Sequence, residues 1–303
     1  MGIYNLKKIL HEENCLIYHN SYKDFYNTNF FPKLCFIGID FNLYYYKYKS
    51  VNANIFKCFF KQILFFLEHR TIPIYLFDGK SVPLKKKIKA KTGKLKNLYI
   101  PYGKFKMFFD TLKIQYYQSS EEADSLSGIL YRNKIIDCCL TDDIGDYLCY
   151  GCDLVIELIK NGVYVSKYNY IQKKLNFYSK DEFIIFCILL GCDYYKTCIR
   201  SKYREIFYIF RNSKKTDNIN EYIINIFQTF KVYEKEKSNY MKIIDAFLLF
   251  TKNSNLNKMA LNYDHFSKVP LNSILPNTNF SFDEIPFVYF SLLNKYKYLN
   301  SKL

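Results

Sequence analysis

The chain has 303 residues, half of them apolar, which is enough for one large α/β domain, or a domain with an appendage, to bury a core. Lysine and arginine total 44 against 28 acids, a formal charge of +16 that favours a polyanionic partner, nucleic acid first, although the wealth of Asn, Lys, Ile, Tyr and Phe looks like AT-rich coding and inflates the lysine count. No secretory start and no run of about 18 apolar residues is present, so a membrane-spanning or secreted chain is not expected. Ten cysteines without paired spacing apart from Cys149 and Cys152, and four scattered histidines, argue against zinc and for reduced structural thiols.

In chain order, residues 1–6 open a short amphipathic segment, followed by a polar, aromatic stretch to Phe31. Residues 34–40 read as an apolar strand ending on Asp40, residues 41–48 as an aromatic turn into helix, and residues 56–68 as a helix. Residues 72–79 are a second strand closing on Asp78. A lysine block follows, with no acid from Ser81 to Phe109. Such a block repels itself unless phosphates neutralise it. Residues 113–117 and 135–140 read as strands flanking a helix over 121–132, whose Ala123, Leu126, Ile129 and Leu130 share one face. Strand-like runs at 154–159 and 163–165 come next, then a helix over 181–190 ending at Asp193. Arg200, Lys202 and Arg204 lie in a turn before a helix at 205–210, where cations and backbone amides would hold a phosphate. Helices are predicted over 221–230, 240–250 and 287–293.

Strands joined through a helix run parallel, and the crevice of a parallel sheet lies beyond the carboxyl ends of its strands. Glu122, Asp124, Asp142, Asp143 and Asp146 would gather there with Asp40 and Asp78, and crowded acids call for a divalent cation of the magnesium or manganese kind. Two blander readings compete. Ser119 and Glu122 also make a capping box, and Asp142, Asp143 and Asp146 also suit a polar loop.

The ordered set Met1-Gly2-Ile3, Ile39-Asp40, Phe77-Asp78-Gly79-Lys80 with Leu84-Lys85, Glu122-Ala123-Asp124, residues 141–151 and Leu189-Leu190-Gly191-Cys192-Asp193-Tyr194 resembles the flap endonuclease family. These are the XPG-type, structure-specific 5′ nucleases, and the chain is similar to a divergent and shortened member, of cellular or viral source. The resemblance implies an α/β PIN-like fold with a central, mainly parallel sheet flanked by helices, in a nuclease core over 1–210. It implies a basic arch-like segment at 80–106, a helix-two-turns-helix DNA-binding motif at 181–210 and a helical accessory region at 211–303. The implied activity is magnesium-dependent hydrolysis of phosphodiester bonds in branched, flapped or nicked DNA, during replication, repair or recombination. An RNA-cleaving relative and a catalytically impaired binding protein are the alternatives.

Two magnesium ions, replaceable by manganese, are implied on Asp40, Asp78, Glu122, Asp124, Asp143, Asp146 and Asp193, with Asp78 and Asp124 central to catalysis. Lys85 falls on the family's active-site lysine and Tyr46 on its base-stacking aromatic. Gly2, Lys80, Lys86, Lys87, Lys89, Lys91, Lys94, Lys96, Arg200, Lys202 and Arg204 are the other expected nucleic-acid contacts.

Three departures stand out. One residue is inserted between Asp143 and Asp146, so Asp142 competes as a ligand; a bulge at Ile144-Gly145 is expected to let both acids converge, with Asp142 facing away. The arch is cut down, with Thr92 at the gateway arginine's spacing and Lys87, Lys89 or Lys91 as substitutes. The glycine-rich hairpin is missing near Arg200, which leaves the family's potassium ion without its loop. No sliding-clamp-binding motif is apparent, and a monomer acting in the nucleus, or at a cytoplasmic replication site for a viral source, is expected.

Overall fold

The computed structural model describes residues 2–28, 35–85, 100–112, 114–196, 203–214, 216, 218–229 and 233–252. The predicted helix at 287–293 lies outside them. The two apolar runs that end on acids form β2 (Cys35–Asp40) and β3 (Thr71–Phe77), paired in parallel with Ile39 opposite Tyr75. The organising unit forms β4 (Tyr116–Gln118), a crossing helix (Ala123–Arg132) and β5 (Cys138–Leu140). A hairpin of β6 (Leu154–Ile159) and β7 (Gly162–Lys167) completes the far side. The polar stretch before Phe31, which carries no clear periodicity, supplies the edge strand β1 (Ile17–His19). Among the described residues the sheet runs β1-β7-β6-β5-β2-β3-β4, parallel from β6 to β4 and antiparallel through β7 and β1.

Pro73 sits inside β3, where a missing N–H normally breaks a ladder. Tyr75 N donates to Gln115 O at 3.1 Å, so alternate β3 amides face β4, and β4 begins too late to need one from Pro73. Among the described residues no strand carbonyl is left waiting for it.

Among the described residues the main helices, in chain order, are α1 (Leu6–Glu12), α2 (Tyr22–Thr28), α3 (Phe41–Ser50), α4 (Ile55–Glu68), α5 (Tyr102–Leu112), α6 (Ala123–Arg132), α7 (Ile144–Cys149), α8 (Tyr168–Leu175), α9 (Lys180–Leu190), α10 (Tyr203–Asn212), α11 (Ile219–Thr229) and α12 (Tyr233–Thr251). They cover two chemically different faces. Helices α3, α4 and α5 bury an aromatic layer in which Phe41 stacks on Phe77 at 4.3 Å and Tyr75 on Phe109 at 4.3 Å. The other face is mainly aliphatic and is covered by α1, α6, α7 and α9. Ile223, Ile226, Ile243 and Phe247 of α11 and α12 are buried in that same aliphatic core.

Cys149 and Cys152 do not form a unit. Cys149 neighbours Cys187 and Cys152 neighbours Cys139, while Cys35 Sγ lies 3.9 Å from Cys138 Sγ. Burial pushes the Cys138, Cys139 and Cys149 thiols well above their ordinary range, so they stay protonated.

Where α6 passes the end of α7, Gly128 lets the backbones touch: a Cβ there would overlap the Tyr150 carbonyl, which also accepts from Arg132 Nη1 at 2.6 Å. Gly128→Ala is expected to lower stability by ~1–3 kcal/mol through overpacking, read as a lower urea midpoint. An unchanged midpoint would show that the crossing tolerates the methyl group.

Candidate active site

The C-terminal ends of β5, β2 and β3 deliver their acids to one edge of the sheet. Asp40 closes β2 and caps α3, its Oδ1 accepting from Leu43 N at 2.9 Å. Past β3 the chain stays in register with the residues after β4, for Lys80 N donates to Ser120 O at 3.1 Å and a Cβ on Gly79 would overlap the Ser119 carbonyl. That close run sets Asp78 beside the start of α6.

There the expected capping box is not made. Glu122 is the N-cap of α6 but forms no side-chain cap, and Ser119 Oγ donates to the Glu122 carbonyl at 2.9 Å. Asp78 takes over that end from another strand: its Oδ1 accepts from Ala123 N at 2.8 Å. The Ser119 amide that a box would offer to Glu122 donates to Phe77 O at 2.9 Å, which leaves the Glu122 carboxylate for Lys85 and for Ser81 Oγ, 3.1 Å away.

Lys85 follows Pro83 at the start of a helical turn, a position that suits proline. Its ammonium pairs with Glu122 and, at 2.8 Å, with Asp193. Both carboxylates are nearly sealed from solvent, and the paired charges lift the lysine pKa against the opposing effect of burial. Behind it, Tyr194 presents its ring 6.0 Å from the ammonium and its hydroxyl accepts from Tyr150 at 2.8 Å.

The inserted residue is absorbed by a helix. No bulge forms at Ile144-Gly145; Asp143 is the N-cap of α7 and Asp146 follows one turn on, so the i, i+3 spacing puts both on one side. Gly145 serves close packing, since a Cβ would overlap Ile3 of the N-terminal segment. Asp142 faces away, paired with Lys47 at 2.6 Å. Gly2 lies so near Asp143 that a Cβ would overlap its Oδ1, and Tyr4 N anchors that segment to Gly191 O at 2.8 Å.

The structure thus brings Asp40, Asp78, Glu122, Asp124, Asp143, Asp146 and Asp193 into one cluster around Lys85. Burial, then the Asp78 charge, lifts Asp40 to about 6, and burial, reinforced by Asp193, lifts Asp143 to about 7. Asp124, facing Glu122, and Asp146, facing Asp143, are raised well above the carboxylate range. Asp146 is 2% exposed and its Oδ1 has no protein partner. Among the described residues no three His, Cys, Asp or Glu side chains form a ready-made ion cage. In donor chemistry, however, an all-carboxylate set with an orphaned buried oxygen fits a hard divalent cation.

Of the expected nucleic-acid contacts, Tyr46 is 37% exposed and edge-on to Tyr45, while Lys80 lies exposed next to Asp78. Exposed Arg204 lies over the Tyr203 ring, whose hydroxyl donates to Glu12 at 2.5 Å. Lys86, Lys87, Lys89, Lys91, Thr92, Lys94, Lys96, Arg200 and Lys202 lie outside the described residues, as does the loop bearing on potassium. Sequence reasoning missed Ser81, Asn42 and Tyr102, none of which carries a local signal. Asn42 Nδ2 donates to Asp78 Oδ2, and Tyr102 OH donates to Asn42 Oδ1 at 2.8 Å.

The raised acids make stability depend on pH. The native chain holds protons on Asp40 and Asp143 that the unfolded chain releases near pH 4, so stability falls as pH rises from about 4 to about 7. With chelator present, the urea midpoint is expected to be lower at pH 8 than at pH 5. An equal or higher midpoint at pH 8 would show that the cluster is not strained by its own charge.

The XPG N-terminal domain profile matches residues 1–97 and the XPG I-region profile residues 113–193, together more than half of the chain. The chain is 28% identical over 132 residues to the probable RAD2-like endonuclease 369L of Invertebrate iridescent virus 6, covering 40% of this chain and 31% of that one. It is 25% identical over 206 residues to flap endonuclease 1 of Enterocytozoon bieneusi, 56% of each chain. The matches therefore span from about a third to a little over half of these relatives' lengths. In fold it is similar to human GEN1, solved with Holliday junction DNA, with a TM-score of 0.73 at 17% identity over 98% of this chain and 79% of that one. Two family profiles in the right order over an acid-lined parallel sheet lead to one conclusion: the chain belongs to the XPG-type family of 5′ nucleases.

Proposed function

We propose that the chain is a magnesium-dependent, structure-specific nuclease that hydrolyses phosphodiester bonds in branched or flapped DNA, as a monomer serving replication, repair or recombination. The observation that carries this reading is the buried carboxylate cluster around Lys85 at the carboxyl ends of β5, β2 and β3. Solved family-fold neighbours with DNA, GEN1 and Rad2 among them, support DNA as the partner. Asp40, Asp78, Glu122, Asp124, Asp143, Asp146 and Asp193 would hold divalent ions, which when bound supply charge neutralisation and Lewis acidity at the phosphate.

The chain's own residues do the rest. Lys85, held at the cluster, offers its ammonium to charge developing on the phosphate. Exposed Tyr46 offers a ring on which a base beside the scissile bond stacks, typically worth about 1–3 kcal/mol. The lysines of segment 80–106 contribute sequence-independent affinity for the phosphate backbone.

The test is a cleavage panel of flap, nicked and junction DNA and single-stranded RNA, with magnesium or with chelator. Magnesium-dependent cleavage of branched DNA is expected. Cleavage of RNA alone would move the reading to an RNA nuclease, and binding without any cleavage to an impaired relative. Asp78→Ala or Asp124→Ala is expected to abolish turnover while leaving DNA affinity largely intact, and wild-type turnover by either would reject the site. Replacing Lys94 and Lys96 together is expected mainly to weaken affinity and flatten its salt dependence, by about two in slope. A changed rate at saturating DNA with an unchanged slope would contradict that role.

A further inference from the structure

We infer that Asn42 and Tyr102 form a relay that positions Asp78 for the reaction. The inference rests on the reading of Asp78 as an active-site carboxylate. Asp78 stands beyond the last paired residue of β3, where a side chain with one anchor would swing. Both of its oxygens are anchored instead: Oδ1 by Ala123 N at 2.8 Å and Oδ2 by Asn42 Nδ2. Each oxygen keeps a second lone-pair direction, so the carboxylate is oriented without being used up.

The direction of the relay follows from its chemistry. The amide nitrogen of Asn42 is the donor and Asp78 Oδ2 the acceptor, so Asn42 turns its Nδ2 toward Asp78. Its carbonyl then faces Tyr102, whose hydroxyl donates at 2.8 Å. Tyr102 is itself fixed, its ring packed edge-on against Phe77 at 5.2 Å and Phe41 at 5.9 Å. The Asp78 orientation is thereby referred to the aromatic layer under the sheet, through a residue that opens α5 within the lysine-bearing segment. Asn42 lies on α3 two residues after Asp40, so one short stretch of chain serves two acids.

Tyr102→Phe keeps the ring and its packing and deletes only the donor. Asn42→Ala deletes the link to Asp78. Partners of this kind typically change ion affinity or activity by about 10–100-fold. The experiment measures kcat, KM for a branched DNA and the magnesium concentration for half-maximal rise in Tm, for wild type, both single variants and the double variant. We expect Asn42→Ala to lower kcat by about 10–100-fold and to weaken magnesium in the melting assay, with KM unchanged, and Tyr102→Phe to act the same way more mildly. The decisive reading is the cycle: with Asn42 already replaced, Tyr102→Phe should cost nothing further.

Additive effects, or an unchanged kcat and magnesium midpoint in Asn42→Ala while Asp78→Ala is inactive, would overturn the relay and leave the nuclease reading standing. If the wild type cleaves nothing, the nuclease reading fails. The melting assay then decides the relay alone, an unshifted magnesium midpoint in Asn42→Ala overturning it and a shifted, non-additive one supporting it.

Discussion

Repulsion among carboxylates in one buried crevice is the constraint on which the rest of the structure depends. Acids this close and this dry do not all stay ionised unaided, as the raised pKa values of Asp40 and Asp143 show. The fold answers in three ways. Lys85 places a positive charge between Glu122 and Asp193. Backbone amides at helix starts bind Asp40 and Asp78, where partial positive charge favours anions. Asp142 is drained off to Lys47, outside the cluster. What the cluster still lacks, shown by the orphaned Asp146 oxygen, is more positive charge.

The two faces of the sheet divide the labour. The aromatic face, where Phe41 stacks on Phe77 and Tyr75 on Phe109 at 4.3 Å each, is the one Asp78 reaches through Asn42 and Tyr102. The aliphatic face gathers the distant parts of the chain. Ile3 at the start, Tyr194 in the turn after α9 and Phe250 near the end of α12 all pack there, and Tyr150 and Tyr194 meet Phe250 behind the acids at 4.9 Å and 5.3 Å. Residues far apart in sequence therefore share one wall of the site.

Much of this was legible in the residues. Residues 34–40 and 72–79 announce themselves because a buried parallel strand is a run of apolar residues, and an acid at its end has nowhere to go but the crevice. Edge strand β1, three residues long and partly exposed, carries too few alternations to be recognised. Helix α7 is only six residues, below the length at which periodicity speaks, so the spacing of Asp143 and Asp146 read as a bulge when it is one turn of helix. The capping box failed for another reason. Ser119 and Glu122 satisfy the local pattern, but the Ser119 amide is taken by the Phe77 carbonyl of another strand and the helix starts only at Ala123, past the position the box requires. Nothing local could have joined Asn42 to Tyr102, 60 positions away.

The buried thiols carry a practical consequence. In the native chain Cys35 and Cys138, Cys139 and Cys152, and Cys149 and Cys187 sit as buried neighbours, shielded from oxidants by the core. Unfolding releases all of them into water, where thiolates form readily near neutral pH and exchange without regard to native neighbours. Refolding from denaturant in air would therefore trap scrambled cross-links, whereas a reductant keeps the return path open, so the reversibility of this protein's unfolding is set by the redox state of its buffer.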